Sequence, residues 1–266
     1  MPELPEVEVV RRKLEEVLIN RTIVDVLIRY PNIIKTEDFK NKVINNKILK
    51  INRRGKYLIF ELSNYYMVVH LRMEGKFFYV DNSNEFSKHE HLIFYLDNNK
   101  QLRYHDVRKF GIFELYDKDK LYLLYDKLGV EVFDDYIDYD LLLKKINKCK
   151  NKHLKTILLD QSIYLGLGNI YVDEVLFLSR INPLRLGSSL TMEELKEIVK
   201  HSKEVFNKSI LNGGTTFRTF NSLGIKGNYQ NYLNVHLKEV CPLCNKELEK
   251  IKINGRTTYY CKNCQR

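Results

Sequence analysis

The chain has 266 residues, 44% of them hydrophobic, with 44 Lys and Arg against 34 Asp and Glu; it is long enough for two domains, or two and a small module, and ordinary in its apolar share. The formal charge of +10 points to a polyanionic partner. The acidic N-terminus does not suit a secretory signal and no apolar run approaches the ~18 residues of a membrane span, so a cytoplasmic protein without membrane association is expected.

The chain opens Met1-Pro2-Glu3-Leu4-Pro5-Glu6. Removal of Met1, common before a small residue, would leave Pro2 with a free secondary amine. An α-amino group titrates near ~8 and is partly unprotonated at neutral pH, so it can attack a sugar or carbonyl carbon and form an iminium ion. Glu3 would stand beside it for proton transfer. The same residues also read as a stub before a helix, with Pro5 in its first turn, and the motif alone does not decide.

The spacing predicts a helix over 5–19, with Val7, Val10, Leu14, Val17 and Leu18 on one stripe. From 22 to 116 the pattern shifts to short β-branched or aromatic runs at 57–62, 66–71, 76–80, 92–96 and 112–115, with Asp97-Asn98-Asn99-Lys100 as a hairpin turn. Strands so spaced predict an antiparallel sandwich. Between Asp117 and Asp140, 8 acids outnumber 3 lysines, and this stretch marks the exit from that domain. Helices are then predicted over 139–148, 153–160, 169–180 and 191–212, the last opened by the capping box Thr191-Met192-Glu193-Glu194. Residues 213–232, rich in Gly, Asn, Ser and Thr, predict a long mobile loop. From Lys200 to Arg266, 12 Lys and Arg face 4 Glu. The expected fold is α+β, with an N-terminal antiparallel β-sandwich flanked by helices over 1–130. A helical domain over 131–232 and a terminal module over 233–266 complete it.

Cys241-Pro242-Leu243-Cys244 and Cys261-Lys262-Asn263-Cys264 form two C-x2-C knuckles sixteen residues apart. Four thiolates at this spacing can close a tetrahedral zinc site with no position left for chemistry. Two disulfides are the other reading, less suited to a reducing compartment. The intervening 251–260 alternates like two strands around Gly255, with Arg256 at the tip. So short a ribbon buries no core alone, which couples its folding to metal binding. Cys149 stands apart and reads as a buried apolar residue.

Three further tracts carry chemistry. In 159–171, Gly166 and Gly168 allow a tight turn, and Asn169 opens a helix whose free N–H groups can bind phosphate; simple capping would use the same residues. Arg53-Arg54-Gly55-Lys56-Tyr57 sets a lysine just before an apolar strand, where a surface position is the ordinary explanation. His70-Leu71-Arg72-Met73-Glu74-Gly75 and His105-Asp106-Val107-Arg108-Lys109-Phe110-Gly111 set cations beside an apolar side chain in a turn. Such a side chain either tucks into the core or acts as a wedge between base pairs.

Taken together, Pro2-Glu3-Leu4-Pro5-Glu6-Val7-Glu8, the tract over 54–58, Gly168-Asn169-Ile170-Tyr171 and the four terminal cysteines resemble, in order and over the full length, the bacterial formamidopyrimidine-DNA glycosylase family. The resemblance implies excision of 8-oxoguanine and formamidopyrimidines from double-stranded DNA, followed by cleavage of the abasic strand. It implies a helix-two-turn-helix in the helical domain, a β-ribbon with one structural zinc held by Cys241, Cys244, Cys261 and Cys264, and a monomer. Pro2 would be the nucleophile at C1′, Glu3 the proton donor, Lys56 the residue for β-elimination and Arg256 that for δ-elimination. Asn169 would join Lys56 and Arg256 in gripping phosphates, and His70, His89, Arg108 and Lys150 would contact DNA. Met73, Arg108 and Phe110 match the trio that fills the gap left by an everted nucleotide.

Three departures stand out: Val107 for a usual proline, Thr219 for a usual aspartate, and Val235-His236-Leu237-Lys238 for a common Val-Tyr-Gly-Arg. Two alternatives remain at this point: an endonuclease VIII-like glycosylase for oxidised pyrimidines, and a non-catalytic binder of damaged DNA. Leu4 and the Met73, Arg108, Phe110 set favour the purine enzyme, while intact Pro2, Glu3 and Lys56 argue against the binder.

Overall fold

In the computed structural model, which describes residues 2–82, 85–215, 223–224 and 226–266, helix α1 (Leu4–Leu18) has a proline in its first turn and buries Val7, Val10, Leu14 and Leu18. The fate of Met1 and the departure at Thr219 lie outside the described residues, as does most of 216–225. The chain folds as two units, Met1–Leu124 with Gly213–Gly227, and Tyr125–Asn212 with Asn228–Arg266.

The first unit contains α1 and eight strands: β1 (Ile23–Ile28), β2 (Ile48–Arg54), β3 (Tyr57–Leu62), β4 (Tyr65–His70), β5 (Lys76–Asp81), β6 (Glu90–Leu96), β7 (Lys100–His105) and β8 (Ile112–Asp117). They form two antiparallel sheets, ordered β2-β3-β4-β8 and β1-β6-β7-β5. Both sheets feed one core. Phe60 meets Phe77 at 6.1 Å and Phe94 meets Phe113 at 6.3 Å between ring centroids, across the sheets. This is the expected sandwich, with α1 laid along β2 through Arg11 Nη1, which donates to the Ile51 carbonyl at 3.1 Å. A short helix, α2 (Phe39–Val43), closes the β1–β2 connection.

One of these strands carries no apolar run in the sequence. Central β7 reads Lys-Gln-Leu-Arg-Tyr-His, yet Gln101 and Arg103 are buried. They satisfy each other and their neighbours: Arg103 Nε donates to Gln101 Oε1 at 2.7 Å, Gln101 Nε2 to Asn82 Oδ1 at 2.7 Å, and Arg103 Nη1 to Glu90 Oε2 at 3.2 Å. A closed polar network can thus sit in a sheet.

The second unit is helical, with α4 (Tyr139–Asn147), α5 (Leu154–Leu158), α6 (Asn169–Leu178) and α7 (Met192–Leu211) after the single turn α3 (Tyr122–Tyr125). The capping box of α7 forms as expected. The α5–α6 connection is organised by Gln161. Its Nε2 donates to the Leu159 and Leu167 carbonyls, both at 3.0 Å, and its Oε1 accepts from Gly166 N–H at 3.1 Å. Gly166 takes φ 92. Gly168, expected to share that freedom, caps α6 in ordinary extended backbone at φ −124. The expected loop over 213–232 is divided: Gly213–Gly227 belongs to the first unit, and Tyr229–Tyr232 forms a 3-10 turn in the second. Tyr229 is buried there because it stacks on Tyr171, 6.0 Å between centroids.

The terminal ribbon pairs β9 (Glu249–Ile253) with β10 (Arg256–Tyr260). Asn254 and Gly255 both take positive φ, 46 and 73, as a two-residue hairpin turn of the primed type demands. One buried ion pair fastens this ribbon to the helices. Fully buried Lys155 and Asp173 meet at 2.7 Å. The Lys155 ammonium also donates to the Thr257 carbonyl at 3.1 Å and to Thr258 Oγ1 at 2.9 Å, while Asp173 Oδ2 accepts from His236 Nδ1 at 2.8 Å. Removing one member of such a pair strands the other charge in low dielectric, at a cost of about 3–5 kcal/mol. Lys155→Met should therefore lower the urea midpoint of the second unit by a corresponding amount in a circular-dichroism titration; an unchanged midpoint would show that the ribbon is held some other way.

Candidate active site and DNA-contact elements

The N-terminal segment is held inside the first unit. Pro2 is buried, and Glu3, the residue capping α1, is only 2% exposed. Two carboxylates on the first turns of α1 do the holding. Glu6 Oε2 accepts from the Glu3 N–H at 2.9 Å, and Glu6 Oε1 accepts from the N–H and hydroxyl of Thr215 at 2.7 and 2.9 Å. Gly214 lies so close, at φ 80, that a Cβ there would come within 3.0 Å of Glu6.

Glu8 gathers three arginines: Arg11 Nη2 at 3.0 Å, Arg12 Nε at 2.8 Å and Arg53 Nε at 3.0 Å. Burial pushes its carboxyl upward, but the hydrogen bonds from Arg11 and Arg12 and the charge of Arg53 more than reverse this, leaving it below the ordinary carboxylate value. Arg53 Nη1 donates onward to the Gly55 carbonyl at 3.0 Å. Gly55, at φ 55, and Lys56 form the two-residue turn between β2 and β3, where Arg54 pairs with Tyr57. Lys56 is thus a turn residue, yet only 6% exposed. A carboxylate, an arginine and a glycine carbonyl link helix α1 to the lysine turn. By sequence Glu6 and Glu8 suit the first turn of a helix, but their tethering roles and that of Arg53 show only in the fold; the available signal was three acids within six residues of a helix start.

The remaining expected contacts of this unit lie on the ends of strands. His70, at the end of β4, is buried, and its Nδ1 accepts from the Arg72 N–H at 2.9 Å. Burial, with the charges of Arg72 and Lys56, depresses its pKa to about 3, so the ring is neutral and organises its own turn. His89 sits edge-on to His91 and His105, at 6.5 and 5.6 Å between centroids. Arg108 stacks its guanidinium 4.8 Å from the centre of the Phe110 ring, and Phe110 is 51% exposed. Met73 is half-buried in the turn between β4 and β5.

In the second unit, Asn169 is the first residue of α6, and its Nδ2 donates to the Thr257 carbonyl at 2.9 Å. Thr257 follows Arg256, which stands exposed at the ribbon tip. Asn169 and Arg256 therefore adjoin through one peptide, at a helix N-terminus suited to anions. Lys150 is exposed between α4 and α5 and is not brought to that pair by any hydrogen bond. Cys149 is half-buried, with its thiol 3.7 Å from the Lys145 carbonyl, rather than buried in a core.

The four ribbon cysteines converge, with all sulfurs within 4.8 Å of one another. Cys241 and Cys264 lie 3.9 Å apart, and Cys244 and Cys261 lie 3.6 Å apart. A zinc–sulfur bond of about 2.3 Å implies tetrahedral edges of roughly 3.8 Å, so the donor set fits zinc. The separations exclude disulfides, whose sulfurs lie ~2.05 Å apart. Filled by four thiolates, this is a structural site.

Three family models match the chain: the formamidopyrimidine-DNA glycosylase N-terminal domain over residues 1–113, its H2TH domain over 128–221, and the zinc finger found in FPG and IleRS over 238–266. The formamidopyrimidine-DNA glycosylase of Bacillus cereus is 44% identical over 274 aligned residues, spanning all of this chain and 99% of that one. That of Mycoplasma genitalium is 40% identical, spanning all of this chain and 96% of its own. Among solved structures, the Lactococcus lactis Fpg in complex with DNA containing an abasic site superposes with a TM-score of 0.93 at 40% identity, each chain fully covered. The complex of that protein with DNA containing N7-benzyl-Fapy-dG gives 0.92, again at 40% identity and full coverage of both chains. Among the described residues no helix is long and apolar enough to cross a membrane. With its fold, its zinc ribbon and its full-length likeness to these proteins, the chain belongs to the formamidopyrimidine-DNA glycosylase family.

Proposed function

We propose that this protein excises oxidised purines, 8-oxoguanine and formamidopyrimidines, from duplex DNA and then cuts the abasic strand by β,δ-elimination. The observation that carries the reading is the N-terminal segment, buried and tethered through Glu3 to Glu6, in a chain alike over its full length to glycosylases of that name. The Lactococcus lactis relative, solved with DNA containing an abasic site and with DNA containing N7-benzyl-Fapy-dG, supports the substrate class.

With Met1 removed, the Pro2 nitrogen attacks C1′ of the damaged nucleotide, and Glu3 supplies the proton that accompanies ring opening and base release. The product is an iminium that makes the adjacent C2′ proton acidic. Loss of that proton expels the 3′ phosphate, and a second elimination expels the 5′ phosphate. Lys56 serves the first elimination and Arg256 the second. C1′ is out of reach in a stacked duplex, so the nucleotide must be everted at a cost of a few kcal/mol. Met73, Arg108 and Phe110 fill the gap and offset that cost. Lys56, Asn169 and Arg256 grip backbone phosphates, with His70, His89 and Lys150 as further contacts. Such contacts position without reading sequence and make binding salt-dependent. Zinc takes no part in the chemistry; Cys241, Cys244, Cys261 and Cys264 hold it so that the ribbon presents Arg256. The functional division runs 1–130 for the catalytic sandwich, 131–232 for the helix-two-turn-helix and lesion-covering loop, and 233–266 for the zinc ribbon. The protein works as a monomer on cytoplasmic DNA.

Borohydride should trap a covalent protein–DNA adduct on an 8-oxoguanine:cytosine duplex, with peptide mapping placing the sugar on Pro2, and Pro2→Gly should abolish it. Binding without any adduct would leave a damage binder, and faster excision of thymine glycol would indicate the pyrimidine enzyme. Metal analysis should find one zinc per chain. Cys261→Ser should lose that metal and weaken duplex binding about tenfold or more, since ribbon folding and zinc binding are coupled; full affinity without zinc would dissociate the ribbon from DNA contact.

A further inference from the structure

The turn bearing Arg108 and Phe110 and the turn bearing Met73 close on the same buried hydroxyl. Tyr104, fully buried near the end of β7, donates from its phenol to Asp106 Oδ2 at 3.2 Å. Asp106 is fully buried as well. Its Oδ1 accepts from the Arg108 N–H at 3.0 Å, and its Oδ2 accepts from the Phe110 and Gly111 N–H groups, both at 2.9 Å. One carboxylate thus takes four donors, three of them the backbone that carries the two side chains. Lys109 makes the bend in left-handed backbone at φ 58. From outside the turn, His91 Nε2 donates to the Asp106 carbonyl at 2.8 Å.

The second turn meets the same phenol from another side. A Cβ on Gly111 would lie 1.8 Å from the Tyr104 oxygen, and one on Gly75 would lie 2.3 Å from it and 2.6 Å from the Leu71 carbonyl. That carbonyl accepts from the Gly75 N–H at 3.0 Å, closing the turn around Met73. Neither glycine is at positive φ; each is required by the approach of the phenol. Hydrogen bonds to a desolvated carboxylate are directional and strong, so they fix the Arg108–Phe110 turn to Asp106 and Tyr104, while the close packing of Gly75 against the same phenol seats the Met73 turn on it.

We propose that Tyr104 and Asp106 are positioning residues for nucleotide eversion, locking the Met73 turn and the Arg108–Phe110 turn into one rigid wedge that enters the duplex as a unit. The inference rests on the gap-filling role given above to Met73, Arg108 and Phe110, and goes beyond it by naming what aims them.

The test separates wedge from chemistry. Single-turnover excision from an 8-oxoguanine:cytosine duplex requires a gap to be filled. Borohydride trapping on a single-stranded abasic oligonucleotide, at saturating protein, does not. Asp106→Asn should slow the duplex reaction about tenfold or more, the loss expected when hydrogen bonds to a charged group are broken, with single-strand trapping within twofold of wild type. Tyr104→Phe, which deletes one hydroxyl, should show the same split at smaller size. Met73→Ala, Arg108→Ala and Phe110→Ala run alongside. If those three leave the duplex rate unchanged, the gap-filling reading itself fails. If they slow it while Asp106→Asn and Tyr104→Phe do not, or if the latter pair lose single-strand trapping equally, the positioning role is overturned. Should Asp106→Asn not fold by circular dichroism, Tyr104→Phe decides.

Discussion

The first physical constraint on this fold is its chain end: termini fray unless they are tied down. Glu6 and Glu8 meet that constraint. Glu6 holds the Glu3 N–H on one side and Thr215 on the other, so the first residues are pinned from within the fold. Glu8, two positions on, holds Arg53, which holds the Gly55 carbonyl beside Lys56. Buried carboxylates are tolerated only when their oxygens are fully engaged, and this engagement converts an N-terminal tail into part of a rigid sandwich.

The same solution recurs at three places where the chain leaves regular structure. Asp106 gathers the 106–111 backbone, Gln161 gathers the α5–α6 connection, and Asp173 with Glu174 gathers the approach to the ribbon. Glu174 accepts from the N–H groups of Asn234, Val235 and His236 at 2.7 to 2.9 Å. At each place one acidic or amide side chain satisfies backbone donors that a loop would otherwise leave unpaired. His236 takes part through Asp173, which gives a structural meaning to one of the residues that depart from the family pattern.

Much of this was legible in the sequence, and for a physical reason. Apolar periodicity found α1, β3, β4, β5, β6, β8 and the four helices of the second unit, because each buries one face. The knuckle spacing found the metal site, because four thiolates converge only at short range. What periodicity missed were the short strands β1 and β2, which bury only two residues each, Ile23 with Val26 and Ile48 with Ile51, the strand β7 with its buried Gln101 and Arg103, and the split of 213–232. Long-range partners decide these, and a one-dimensional pattern does not record them. Of the two glycines that allow the tight turn, Gly166 makes it at positive φ, while Gly168 is the α6 cap, the alternative that the sequence also offers. The sequence places His70 beside a turn but does not show that burial commits one of its nitrogens to that turn. The tethering by Glu6, Glu8, Arg53, Lys155 and Asp106 is not legible in sequence because a charged residue looks like surface until its partners, as far as 209 positions away, are known.

The membership of Gly213–Gly227 in the first unit has a consequence for how the protein is made. Ribosomes deliver a chain in order, and Leu124 leaves the tunnel long before Thr215. At about 5–20 residues per second, the roughly ninety residues between them take on the order of ten seconds. Throughout that interval the nascent sandwich holds its Glu6 carboxylate without Thr215 to receive. The end of the protein synthesised first is therefore among the last to be finished, and a truncated translation product ending before Thr215 would lack the two donors that Glu6 accepts from it.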